Sequence, residues 1–133
     1  MIVFAGLGAK VCTREFRAAT CVDRIAGRYP APGGEREAVV AVRDCGATTG
    51  IVTHVFVIRL GERLAGRSGN ALVVDSDYGA APYLPGGGVP LEIQWVRSDS
   101  LVLRYSARAR VGLANQSSRG VRVTHVRHPA GGA

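Results

Sequence analysis

The stretch that most constrains how this chain can fold is IVTHVFVIRL, residues 51–60. β-Branched and aromatic residues dominate it, the side chains that fit a pleated surface. Ile51, Thr53, Val55 and Val57 fall on one face; Val52, His54, Phe56, Ile58 and Leu60 fall on the other. Both faces are largely apolar. A strand of that kind belongs in the middle of a sheet, covered on both sides.

The rest of the chain reads as shorter strands around this one. PAPGG at 30–34 is a turn, because its prolines fix φ and its glycines permit φ > 0. Its flanks, DRIAGRY and EREAVVAVRDC, are the arms of a hairpin. GERLAGRSG is a polar connection, and NALVVDSD is a short strand running into a turn. Residues 78–90, YGAAPYLPGGGVP, form a long irregular loop. LEIQWVRSDSLVLRYSA is a second hairpin, with Leu91, Ile93 and Trp95 on the buried side of one arm and Leu101, Leu103 and Tyr105 on that of the other. GVRVTHV is a last strand, with Val121, Val123 and His125 on one face. About seven short strands with frequent turn signals predict an all-β fold, a small antiparallel sandwich or curled sheet. The predicted organisation is an N-terminal segment over 1–20, a single β domain over 21–127 and a disordered tail over 128–133. The first segment reads as a truncated export signal or as a short helix, for which Cys12, Phe16 and Ala19 give a thin stripe across residues 12–22.

A length of 133 residues is one ordinary domain, and an apolar fraction of 47 % excludes wholesale disorder. No apolar run reaches the ~18–20 residues a membrane helix needs. The formal charge is +7, which points toward polyanions. However, Lys10 is the only lysine among 17 basic residues, and Gly, Ala and Val are abundant, a composition that a GC-rich genome imposes on any solvated surface. The basic residues form no block. Arg97, Arg104, Arg108, Arg110 and Arg122 are spaced, and could share one exposed face that binds a nucleic acid or an anionic surface. A solvated arginine surface is the simpler reading.

Three cysteines, Cys12, Cys21 and Cys45, leave one over in an oxidising compartment. Cys21 lies about eleven residues before the centre of the first hairpin turn and Cys45 about thirteen after it, so the two can face each other across the arms. A bridge there would close a loop of about 25 residues and contribute roughly 3 kcal/mol. Cys12 would then be a free thiol or an alternative partner. The competing reading makes Cys45 the nucleophile of a thiol enzyme, with His54 as base. A thiolate needs a base or a positive field, and the neighbouring Asp44 supplies the opposite field.

DSDYG at 75–79 copies the first half of a calcium loop, with Asp75 and Asp77 as candidate ligands. Gly86 stands where the chelating glutamate belongs, so an Asx turn is the ordinary reading. No cofactor motif is present: PGGGVP lacks the Lys-Ser/Thr and the helix of a phosphate loop. Tyr78 and Tyr83, in the Pro/Gly-rich loop, are candidates for contact with a protein or glycan partner.

Taken together, Cys21, PAPGGEREAVV at 30–40, RDCGATTG at 43–50, THVFVI at 53–58, SGN, DSDYGAAP and the tryptophan hairpin resemble a family of small bacterial proteins. Its members carry a cysteine, an SPDGK-like turn and an AVV…RDCGATTG segment. The likeness spans about residues 21–126; APGG replaces SPDG at the turn, and the N-terminus lacks a full signal. The resemblance implies an exported or lipid-anchored protein of the cell envelope and no reaction. A translation start at Met1 would instead imply a cytoplasmic protein.

Overall fold

The computed structural model describes residues 21–46, 50–64 and 66–129. Nine strands appear among them, and no helix. They are β1 (Val22–Pro30), β2 (Arg36–Asp44), β3 (Ile51–Arg59), β4 (Leu72–Asp75), β5 (Glu92–Arg97), β6 (Ser100–Ser106), β7 (Arg110–Ala114), β8 (Ser117–Ser118) and β9 (Val121–His128). Two sheets result, in the orders β1-β2-β3-β4-β7 and β5-β6-β9-β8. They stack as an open, sandwich-like all-β fold.

β3 is the middle strand of the five-stranded sheet, as its apolar faces require. Val55 and Val57 join Ala38, Val40, Leu72 and Val74 in the core between the sheets, opposite Leu101, Leu103, Tyr105, Val121 and Val123. Phe56 and Ile58 point the other way and form a second buried cluster with Val39, Ala41 and Leu64. Leu64 comes from the 60–70 connection, which straps across the outside of the sheet. Three polar contacts fix the strap. Gly69 N–H donates to Nδ1 of buried His54 at 2.9 Å. Arg43 reaches Arg67 O at 2.7 Å. The Asn70 amide both accepts from Val57 N–H (2.7 Å) and donates to Val57 O (2.8 Å), filling the place of a neighbouring strand where β4 has not yet begun. At Gly69 a Cβ would lie 2.6–3.0 Å from backbone atoms of Leu72 and Val55, so only glycine lets the strap come this close.

The two predicted hairpins form. β1 pairs with β2 around the 31–35 turn, with a bulge at Ala26, and β5 pairs with β6. Trp95 Nε1–H, on β5, donates to Tyr29 O on β1 at 2.7 Å, which ties the sheets together along one side.

Several expectations need correction. There are nine strands where about seven were expected, because β7 contains Gly112 and β8 is two residues long; neither gives an alternating run. The second sheet is mixed: β9 lies parallel to β6. The chain leaves β6, crosses to the first sheet as β7, and turns back through the β8–β9 hairpin at Arg119 and Gly120, both at positive φ. Alternation reports faces, and it carries no information on strand direction. His128, expected in the tail, is the last residue of β9 and pairs with Ser106; residues 130–133 lie outside the described residues. The helix expected over 12–22 lies outside the described residues, apart from Cys21 and Val22, the latter already the first residue of β1.

Candidate functional site

Cys21 and Cys45 are joined in a disulfide. The bridge sits one rung beyond the Val22–Asp44 pair, at the open end of the β1–β2 hairpin. On the next rung Arg43 makes a double contact with Asp23, at 2.7 and 3.1 Å. With its sulfur in the bridge, Cys45 carries no free thiol here. His54 is equally committed. Its Nδ1 accepts from Gly69, its ring stacks against Phe56 (centroids 6.1 Å apart), and burial together with the nearby Arg43 charge pushes its pKa down. Cys12 lies outside the described residues.

Asp75 and Asp77 face an arginine. Arg110 on β7 contacts both Asp75 oxygens, the closer at 2.8 Å, and approaches Asp77 at 3.9 Å. Asp75 also accepts from Asp77 N–H at 2.8 Å, the expected Asx turn. Among the described residues there is no group of three or more His, Cys, Asp or Glu placed to hold a metal ion.

Where DSDYG turns, the backbone is unusual. Asp77 and Tyr78 both lie at positive φ (+55° and +56°), followed by Gly79 at +88°. For a tyrosine this left-handed region costs of order 1–2 kcal/mol. Ala81 N–H to Ser76 O (2.9 Å) and Ala80 N–H to Asp77 O (3.1 Å) hold the turn closed. Tyr78 is thereby lifted clear of the protein and is 91 % exposed; Tyr83, five residues on, is 63 % exposed. The Arg110 guanidinium lies 5.1 Å from the Tyr78 ring centroid, so the cation that neutralises Asp75 also supports the ring. Its bonds to Asp75 and Tyr78 push its own pKa up, keeping it charged at any working pH. Tyr78, Tyr83, Ser76, Ile51 and the glycines at 79 and 87 line a shallow depression of about 280 Å³. The two tyrosines named from sequence thus converge on one surface.

The other half of the same loop turns inward. Leu84 N–H bonds Gly88 O at 2.7 Å, and Val89 N–H bonds the buried Thr53 Oγ1 at 3.1 Å, which seats Val89 in the core.

The five arginines do not share one face. Arg110 belongs to the five-stranded sheet and is paired, and Arg108 approaches Ala80 O at 3.5 Å. Arg104 and Arg122 lie on the outer face of the four-stranded sheet, with Arg97 at the β5–β6 turn; none of these three has an ion-pair partner among the described residues. Among the described residues two buried polar atoms lack any hydrogen bond, Arg104 Nη1 and His128 Nδ1, and register puts both on that outer face as diagonal neighbours.

Sequence reasoning missed a polar chain linking the sheets. His125 Nε2–H donates to Asn115 O at 2.7 Å, which fixes the tautomer, so Nδ1 accepts from Tyr105 O–H at 2.9 Å. The alternation of Val121, Val123 and His125 was its only trace.

No family model, curated protein or solved structure matches this chain. What fold and geometry define is a disulfide-bonded, sandwich-like all-β fold with two exposed tyrosines on one loop. Among the described residues no helix is long and apolar enough to cross a membrane, and the bridge is consistent with an oxidising compartment.

Proposed function

We propose that this chain is a non-catalytic binding module, exported to the bacterial cell envelope as the family resemblance implies, whose contact surface for a protein or glycan partner is the loop at 78–90. One observation carries the reading: Tyr78 is held in a left-handed conformation, almost wholly in solvent, with Arg110 braced against its ring. Nothing in the packing of the core calls for an aromatic side chain there. Strain of this kind collects at ligand clamps, and rigid aromatic residues bind at low entropic cost.

The test pairs the unaltered protein with a Tyr78→Asn/Tyr83→Asn double variant on a glycan array and on purified envelope proteins. Asparagine tolerates positive φ, so the variant should melt within a few degrees of the parent while losing more than tenfold in binding. Full binding by the folded double variant refutes the surface.

A second reading, a polyanion binder, rests on the unpartnered Arg104 and His128 atoms beside Arg122 and Arg97. It requires affinity for heparin or DNA that falls steeply as salt rises. Binding that is absent or insensitive to salt removes it.

A further inference from the structure

Between the inner face of the five-stranded sheet and loop 84–91 lies a partly open pocket of about 150 Å³. Val40, Val42, Val89 and Leu91 supply apolar walls, Thr53 lines it as well, and Arg24 and Tyr29 complete it from β1. Arg24 pairs in register with Val42, and that rung points toward the opposing sheet. A charged side chain therefore stands on the inner side of an edge strand, where it remains exposed to solvent. Among the described residues Arg24 has no hydrogen bond and no ion pair, unlike Arg43 on the adjacent rung and Arg28 further along β1, which bond Asp23 and Glu37. Its guanidinium lies over the backbone of Gly86, where a Cβ would come within 2.8 Å of Nη2. No residue lining the cavity is acidic.

We infer that this pocket is a binding site for a small aliphatic carboxylate, its alkyl body between loop 84–91 and the five-stranded sheet and its head on Arg24. Volume sets the size: a pocket of about 150 Å³ takes a benzene-sized body, so a chain of about six carbons fits with its carboxylate oxygens at the mouth. Charge sets the head group. A single unpaired guanidinium at the mouth, with no carboxylate to neutralise it, favours an anion whose two oxygens match its fork of donors. The walls are built in advance. The Leu84–Gly88 turn and the Val89–Thr53 bond tie the loop to the sheet, which lowers the ordering cost of binding. The site uses the inward half of the loop whose outward half carries Tyr78, and it stands independently of the tyrosine surface.

The experiment titrates hexanoate, hexanamide and hexylamine into the protein and follows methyl signals by ¹H–¹³C NMR. Hexanoate should shift the methyls of Val40, Val42, Val89 and Leu91 saturably below 10 mM. Hexanamide should bind at least fivefold more weakly, and hexylamine not measurably. Arg24→Met keeps the side-chain stem and removes the charge; it should bring hexanoate to the hexanamide affinity and leave hexanamide unchanged. Ala26→Leu, at the exposed rim, should weaken both. The inference is overturned if hexanoate leaves those four methyl sets unmoved, or if the amine binds the unaltered protein as tightly as the carboxylate. Both of those readings come from the unaltered protein and do not depend on any variant folding.

Discussion

Replacing both bridged cysteines, Cys21→Ala/Cys45→Ala, tests the corner at which β1 and β2 are closed. The bridge spans a sequence separation of 24 residues. In the chain-entropy model a loop of that size destabilises the unfolded state by roughly 3 kcal/mol. The structure says where the loss should appear. β1 is the outermost strand of its sheet, is exposed along nearly all of its length and pairs only with β2 among the described residues. Its far end is secured by the 31–35 turn, where Ala31 N–H bonds Arg36 O at 2.8 Å. Its near end has the bridge and the adjacent Asp23–Arg43 pair. That pair is solvated and adds about 1 kcal/mol at most. Urea unfolding of the oxidised protein and of the double variant should therefore differ by roughly 3 kcal/mol, about 10 °C in Tm for a domain of this size. Native-state hydrogen exchange should rise most at the amides of 22–25 and least in β5 and β6. Reductant should bring the parent down to the variant and leave the variant unchanged. A loss below about 0.5 kcal/mol, or exchange raised equally in both sheets, would refute this account.

Two further predictions concern the strap over the five-stranded sheet. His54 has a folded pKa below its ordinary value because burial and Arg43 disfavour the cation, so the folded state binds fewer protons than the unfolded one. Stability should be complete above about pH 6.5 and fall as the pH drops below that value toward and through the lowered folded pKa. His54→Gln should flatten that part of a urea-stability profile, and an equal slope in the variant would assign it to other groups. Gly69→Ala should cost about 2–4 kcal/mol, from a Cβ forced against the backbone of Val55 and Leu72 and from disturbance of the bond to His54. A Tm within 2 °C of the parent would show that the strap can lift without penalty.

How much of this was legible in the sequence depends on the kind of contact involved. The 51–60 stretch names its own position, because both of its faces are apolar and burial follows directly from that. The two hairpins are equally readable, since turn chemistry and alternation agree around 30–34 and 97–100. The Cys21–Cys45 pairing follows from counting outward from the first turn, a local operation. What stayed hidden is non-local. Leu64 and Gly69 sit in a stretch that reads as polar connection, yet they cover Phe56 and bind His54. The parallel pairing of β6 with β9 depends on how β7 and β8 route the chain, and β7 carries too little alternation to be seen. The arginine face failed for the same reason. Residues 104 and 110 are close in sequence, but the chain changes sheets between them, and Arg110 is drawn to Asp75 across 35 residues.

The loop at 78–91 is where these observations meet. A loop whose task was only to connect β4 to β5 would be expected to hide its aromatic residues and keep tyrosine out of the left-handed region. Here the inward half does what a core requires: Val89 is buried and Thr53 receives its N–H. The outward half does what a core penalises. Asp77 and Tyr78 are two successive non-glycine residues at positive φ, a conformation aspartate tolerates but one that costs of order 1–2 kcal/mol at the tyrosine, and the ring gains little burial in return. The contact with Arg110 offsets only about 0.5–1 kcal/mol at an exposed site. Glycine or asparagine at 78 would close the same turn with less strain. A sequence that places tyrosine there gives up stability for exposure, and that is the cost the proposed contact surface would explain.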